Sequence, residues 1–94
     1  MLEIKPNITV EAVGLLCPLP VLKLRKALKK CFDGDIVMLV ASDPAAGIDI
    51  RHFCNQSGNI FIGDKVEKNY FDANFNYPEN DVVSAYFVKK NGGL

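Results

Sequence analysis

Two prolines mark the point at which this chain must change from strand to helix. Pro18 and Pro20 follow residues 8–12, where apolar and polar side chains alternate. Such alternation is typical of a strand with one buried face. Proline has no backbone N–H and is tolerated in a helix only within the first turn. The sequence therefore predicts a first strand over residues 8–12 and a helix that begins at about Pro18.

The segment after the prolines is amphipathic and has one basic side. Its apolar residues recur at helical spacing, and the sequence Phe32–Asp33–Gly34 predicts the end of the helix. The basic side is either a solvated face or a docking surface for an acidic patch on a partner protein. The candidates for docking are Lys23, Arg25 and Lys26.

The next two elements follow directly. Residues 35–41 form a mostly apolar, β-branched run, which is typical of a central strand covered by helices. Ser42, Asp43 and Pro44 then resemble the start of a helix, with a capping side chain before a proline. We therefore expect a second helix over about residues 45–57.

The last part of the chain predicts two more strands. A third strand begins at Ile60, and a fourth covers residues 82–88 after a turn at residues 77–81. The pairing of residues 63–76 is not predicted. The order β-α-β-α-β-β predicts an α+β fold, a two-layer α/β sandwich in which two helices cover one face of a four-stranded mixed sheet. We expect a single domain over residues 1–94.

Composition excludes several classes of protein. Hydrophobic residues make up 49% and charged residues 23% of the chain, as in soluble globular proteins. Eleven basic and eleven acidic residues cancel, so no overall field favours stable nucleic-acid binding. The longest apolar run, residues 36–41, is far shorter than the roughly 20 residues of a membrane span, and the N-terminus does not resemble a signal peptide. We expect a cytoplasmic monomer with no membrane span.

The cysteines are three in number and widely spaced. This pattern suits neither a disulfide framework nor a zinc site of the CxxC type, so we expect free thiols in a reducing compartment and no bound metal. Cys31 falls on the apolar stripe of the first helix and is interpreted as a core residue. Cys54 is interpreted as a buried residue, with a secondary thiol as the alternative. His52 is interpreted as a surface residue, not a base or a ligand.

Cys17 lies where the first helix is predicted to begin, as its N-cap. Unpaired N–H groups and the positive end of the helix dipole favour a thiolate there, and the thiolate is the nucleophile in sulfur chemistry. The alternative is a buried cysteine beside a helix start. Asp43 and Asp49 are interpreted as a cap and a first-turn charge and not as paired acids.

These features occur together in one known family. The motif is CPxP after a short strand, here Cys17–Pro20 preceded by Gly14 and Leu15, and its later matches are Gly34, Asp43–Pro44, Asp49–Ile50 and Phe53–Cys54. In this combination, over about residues 8–63 and the final strand, the sequence resembles the TusA family of small sulfur carriers, the SirA and YedF group. The resemblance implies that Cys17 accepts sulfur as a persulfide and that Gly14, Pro18 and Pro20 support the motif. It also implies a cysteine desulfurase or another sulfurtransferase as donor, a sulfurtransferase protein as acceptor, and no cofactor.

Two departures from the family pattern concern the choice of partner. Leu16 and Leu19 stand where the family often has arginine and a charged residue or methionine, and residues 65–80 are longer and more aromatic than usual. Two other functions stay open: a non-catalytic regulatory or interaction module that uses the same helix start, and a redox module that pairs Cys17 with Cys54.

Overall fold

The structure, a computed structural model, describes residues 4–66 and 82–91. Its elements follow in the predicted order: β1 (Ile8–Ala12), α1 (Leu19–Lys29), β2 (Ile36–Ala41), α2 (Ala46–Ser57), β3 (Ile60–Val66) and β4 (Ser84–Lys89). Most of the aromatic segment 65–80 and the predicted turn at 77–81 lie outside the described residues. Neither helix in the described part of the chain is long and apolar enough to cross a membrane.

The four strands form one mixed sheet in the order β1-β2-β4-β3. β1 and β2 are parallel, which requires a crossover between them, and α1 provides it. β4 pairs antiparallel with both β2 and β3. The predicted α+β architecture is confirmed, and β2 is an inner strand, as its apolar sequence indicates.

The main core lies between the sheet and the helices. Leu24 of α1, Ile50 of α2 and Leu39 of β2 are fully buried in it. Burying a side chain of this size contributes about 1.5–3 kcal/mol to stability. Because side chains alternate along a strand, Val40 points to the other face of β2, where it belongs to a second buried cluster with Val13 and Val83. Burial on both faces explains the continuous apolar sequence of β2.

A glycine brings the start of α2 close to β4. A Cβ atom placed on Gly47 would lie 3.2 Å from Cε1 of Tyr86 and 3.3 Å from a guanidinium nitrogen of Arg51. These distances are shorter than ordinary van der Waals contacts, so a larger residue would require the side chains of Tyr86 and Arg51 to shift by a few tenths of an ångström. Gly47 therefore helps to fix the position of the α2 residues that follow it.

The ends of α1 differ from the prediction. Its first residue is Leu19 and its N-cap is Pro18, so Cys17 precedes the cap and is not the cap itself. The helix ends at Lys29, because Lys30 and Cys31 donate their N–H groups to carbonyl oxygens only three residues earlier. The helix therefore begins within one residue of the predicted start and ends before Cys31, the last residue of its apolar stripe.

Candidate functional site

Cys17 lies in the loop between β1 and α1 and is the exposed thiol among three free cysteines. The thiols of Cys31 and Cys54 belong to residues only 7% and 4% exposed. Burial raises the pKa of Cys31, and its Sγ donates to the carbonyl oxygen of Ala27 at 3.3 Å. Burial raises the pKa of Cys54 to about 11. Cys17 is thus the thiol that a second protein can reach in the folded chain.

Two side chains after β2 hold the loop that carries Cys17. The N–H of Gly14 donates to Oγ of Ser42 at 2.9 Å, and the N–H of Cys17 donates to Oδ2 of Asp43 at 2.7 Å. The other carboxylate oxygen of Asp43 accepts the N–H of Ala45 at 3.0 Å, just before α2. These contacts form because β1 and β2 are parallel, which brings their carboxyl ends to the same edge of the sheet. Asp43 therefore joins the thiol loop to the start of α2.

The first turn of α1 does not present its N–H groups to the sulfur as predicted. Pro18 and Pro20 have no N–H, and the N–H of Leu19 donates to the carbonyl oxygen of Leu16 at 2.9 Å. The N–H of Cys17 itself is occupied by Asp43. The Cys17–Pro18 peptide bond is cis. The prediction that Cys17 is the N-cap of α1 is therefore wrong, since Pro18 is the cap, and the N–H groups of Cys17 and Leu19 are bound to other acceptors.

The charge around the thiol is negative, not positive. A hydrogen bond between the Cys17 thiol and the Asp49 carboxylate raises the pKa of Cys17 above its ordinary value. Partial desolvation and then the negative charges of Asp49 and Asp43 raise this pKa further. The direction of this pKa shift is opposite to the one expected from a helix start, because the carboxylates favour the thiol over the thiolate.

An open groove of about 230 Å³ lies beside Cys17, between the start of α1 and one face of α2. The α2 residues that line it include Asp49, His52 and Gln56, which share a face because they are three and four positions apart. Sequence reasoning took Asp49 as a first-turn charge and His52 as a surface residue, and it did not place either beside the thiol. Their helical spacing predicts that they share one face of α2, but it does not predict that this face lies next to α1.

Several large apolar side chains are exposed on the two segments that carry Cys17 and Asp49. Leu16, just before Cys17, is 69% exposed, and Leu19 is 47% exposed. Ile48, next to Asp49 in the first turn of α2, is 72% exposed. The departures from the family pattern at positions 16 and 19 therefore give this part of the surface an apolar character.

The three cations predicted for docking lie on two sides of α1. Lys23 and Lys26 line a cavity of about 270 Å³ next to β1, and Nζ of Lys23 donates to the carbonyl oxygen of Glu11 at 3.0 Å. Arg25 lines a different cavity of about 390 Å³ together with Phe53, which also lines the Cys17 groove. None of the three cations is among the residues that line that groove. Their role in docking stays a prediction.

Comparison with known proteins identifies the family. Residues 8–73 match the sequence profile of a family described as sulfurtransferase TusA. Two Neisseria meningitidis proteins, from serogroup A and serogroup B, are each 39% identical to this chain over 54 residues, which are 57% of this chain and 73% of theirs. Both are named as candidate sulfur carriers. The crystal structure of a SirA-like protein from Desulfitobacterium hafniense has the same fold, with a TM-score of 0.60, 19% identity, and coverage of 89% of this chain and 97% of that one. Since the family profile matches well over half of its length, the chain belongs to the TusA sulfurtransferase family.

Proposed function

We propose that this protein is a sulfur carrier that holds a persulfide on Cys17 and passes its outer sulfur to an acceptor protein. The observation that supports this most directly is the exposure of Cys17 beside an open groove, while the other two thiols are buried. Membership of the family supports the same function. The donor is a cysteine desulfurase or another sulfurtransferase, and the acceptor is a sulfurtransferase protein. The carrier acts as a single domain in the cytoplasm and needs no cofactor.

Loading is an exchange between two sulfur atoms. Sγ of Cys17 attacks the outer sulfur of a donor persulfide, the S–S bond of the donor breaks, and the donor thiolate leaves and takes up the proton that Cys17 loses. Unloading is the same step with an acceptor thiolate as the attacking group. Both steps need an accessible sulfur more than a deep pocket, which fits a loop held at the surface by Ser42 and Asp43.

Mass spectrometry of the intact protein tests this function. After incubation with a cysteine desulfurase and cysteine, we expect one added sulfur atom that a reductant removes. Cys17→Ser should abolish the adduct, whereas Cys54→Ser, which replaces a buried thiol, should keep it. An adduct that persists in Cys17→Ser would move the site to another thiol.

A protein-interaction module is the second candidate, because Leu16, Leu19 and Ile48 expose apolar surface around Cys17. In that case the protein would bind a partner through this surface, and several competent donors would leave Cys17 without sulfur. The adduct experiment therefore separates the two functions.

A further inference from the structure

Among the described residues, the groove beside Cys17 is lined by one carboxylate, that of Asp49, and by no lysine or arginine. Asp43 lies next to the groove, because it accepts the N–H of Cys17 at 2.7 Å. Of the described residues that line the groove, His52 is the one basic side chain, and none is lysine or arginine. Positive groups, and not carboxylates, would stabilise an anionic persulfide on Cys17.

We propose that Asp49 makes the protein a sulfur donor and not a sulfur store, by disfavouring the persulfide on Cys17 relative to the free thiol. This inference rests on the proposed function. Asp49 favours the empty carrier, because its carboxylate lines the same groove as Cys17 and does not repel a neutral thiol there. It destabilises the loaded carrier, because a persulfide is more acidic than a thiol and is an anion at neutral pH.

The balanced equation for loading shows which side of the reaction the Asp49 carboxylate affects. With glutathione persulfide as donor, Cys17–SH and GS–S⁻ give Cys17–S–S⁻ and GSH. The sulfur–sulfur bond in the donor breaks, a new one forms at Cys17, and the proton of Cys17 passes to glutathione, with no net oxidation. The outer sulfur remains one S–S bond, about 2 Å, from Sγ, so the new negative charge stays close to Asp49. Each side of the exchange carries one negative charge, but only the loaded carrier places it beside Asp49.

Asp43 and Asp49 both lie near Cys17, and the charge of each affects the equilibrium between thiol and persulfide. Asp43, before α2, adds a second negative charge, and it is committed to two backbone N–H groups. Asp49 has no such backbone contact through its side chain and lies in the first turn of α2. His52, one helical turn later, lines the same groove. Asp49 is therefore the residue whose charge can be removed with the least disturbance of the loop.

The test is the equilibrium of Cys17 loading in mixtures of glutathione persulfide and glutathione, measured by mass spectrometry of the intact protein. Asp49→Asn removes the charge and keeps the size of the side chain, and we expect it to raise the loading constant by about five- to tenfold. Asp49→Glu keeps the charge and should stay within about twofold of wild type. Asp33→Asn is the matched control, because Asp33 is exposed and lines a different cavity.

The dependence of loading on salt provides a second measurement. High ionic strength screens exposed charges, so the loading constant of wild type should rise with salt, and that of Asp49→Asn should rise less. Circular dichroism checks that the variants are folded. A loading constant in Asp49→Asn within twofold of wild type overturns the inference, as does slower loading at an unchanged equilibrium, which would make Asp49 a proton acceptor instead. If wild type itself takes no sulfur from any donor, the proposed function fails and this inference fails with it.

Discussion

Asp49 favours the protonated form of the Cys17 thiol in the empty protein. Its carboxylate favours the protonated form through the hydrogen bond and through its charge, with Asp43 acting in the same direction. Asp49→Asn should therefore lower the pKa of Cys17 and speed its alkylation by iodoacetamide at pH 7.5 severalfold. Rates measured against pH with peptide mapping, with Asp33→Asn as control, give the pKa directly. A pKa that rises or stays unchanged in Asp49→Asn would contradict this assignment.

Cys54 makes stability depend on pH in an alkaline range. In the unfolded chain its thiol ionises near pH 9.0, whereas in the folded protein burial raises its pKa to about 11. The contribution of Cys54 to stability is complete below pH 9.0 and is lost as the pH rises through about 11. A shift of this size corresponds to at most about 2–3 kcal/mol.

Urea unfolding between these pH values tests the role of Cys54. Cys54→Ala lowers stability at neutral pH by leaving a small cavity, but its unfolding free energy should fall less steeply in alkali than that of wild type. Lysines and tyrosines titrate in the same range in both proteins, so the comparison isolates the thiol. Equal slopes for the two proteins would show that Cys54 is not protected from ionisation.

The loop between β1 and α1 depends on residues from a different element. Asp43→Ala removes acceptors from the N–H groups of Cys17 and Ala45, and we expect a loss of about 1–2 kcal/mol of stability. Amide hydrogen exchange at Cys17 should become faster. Ser42→Ala is the matched control, because it should speed exchange at Gly14 and leave Cys17 protected. Equal protection of Cys17 in all three proteins would mean that Asp43 does not hold the loop.

The two sides of α1 predict different effects of charge reversal on sulfur transfer. Arg25 lines a cavity together with Phe53, and Phe53 also lines the Cys17 groove. Lys26 lines the cavity next to β1. A partner that reaches Cys17 across the groove would therefore pass Arg25 first. Arg25→Glu should slow transfer from a desulfurase more than Lys26→Glu does at low salt, with little effect on folding. If both variants transfer sulfur at the wild-type rate, these cations serve solvation and not docking.

The order of elements could be predicted from local pattern, but the composition of the site could not. Periods of two and 3.6 residues, together with Pro18 and Pro20, identify the strands and helices because each signal is local. At the site, the prediction placed the N-cap at Cys17, whereas the cap is Pro18, and helix boundaries are the least certain part of such a prediction. The proximity of Asp49 and His52 to Cys17 comes from the packing of α2 against α1, which a single sequence does not encode in any short segment.

At the scale of the whole molecule, loading and folding form one thermodynamic cycle. In the unfolded chain a persulfide on Cys17 is in water, far from Asp49, so the repulsion exists only in the folded state. Loading should therefore lower the free energy of unfolding of wild type, because two like charges close together repel each other. In Asp49→Asn the same loading should have little effect. Urea unfolding at 25 °C, with the adduct quantified by mass spectrometry before and after, measures the difference. A loaded wild-type protein that is more stable than the empty one would mean that the groove favours the persulfide, and that release depends on the acceptor alone.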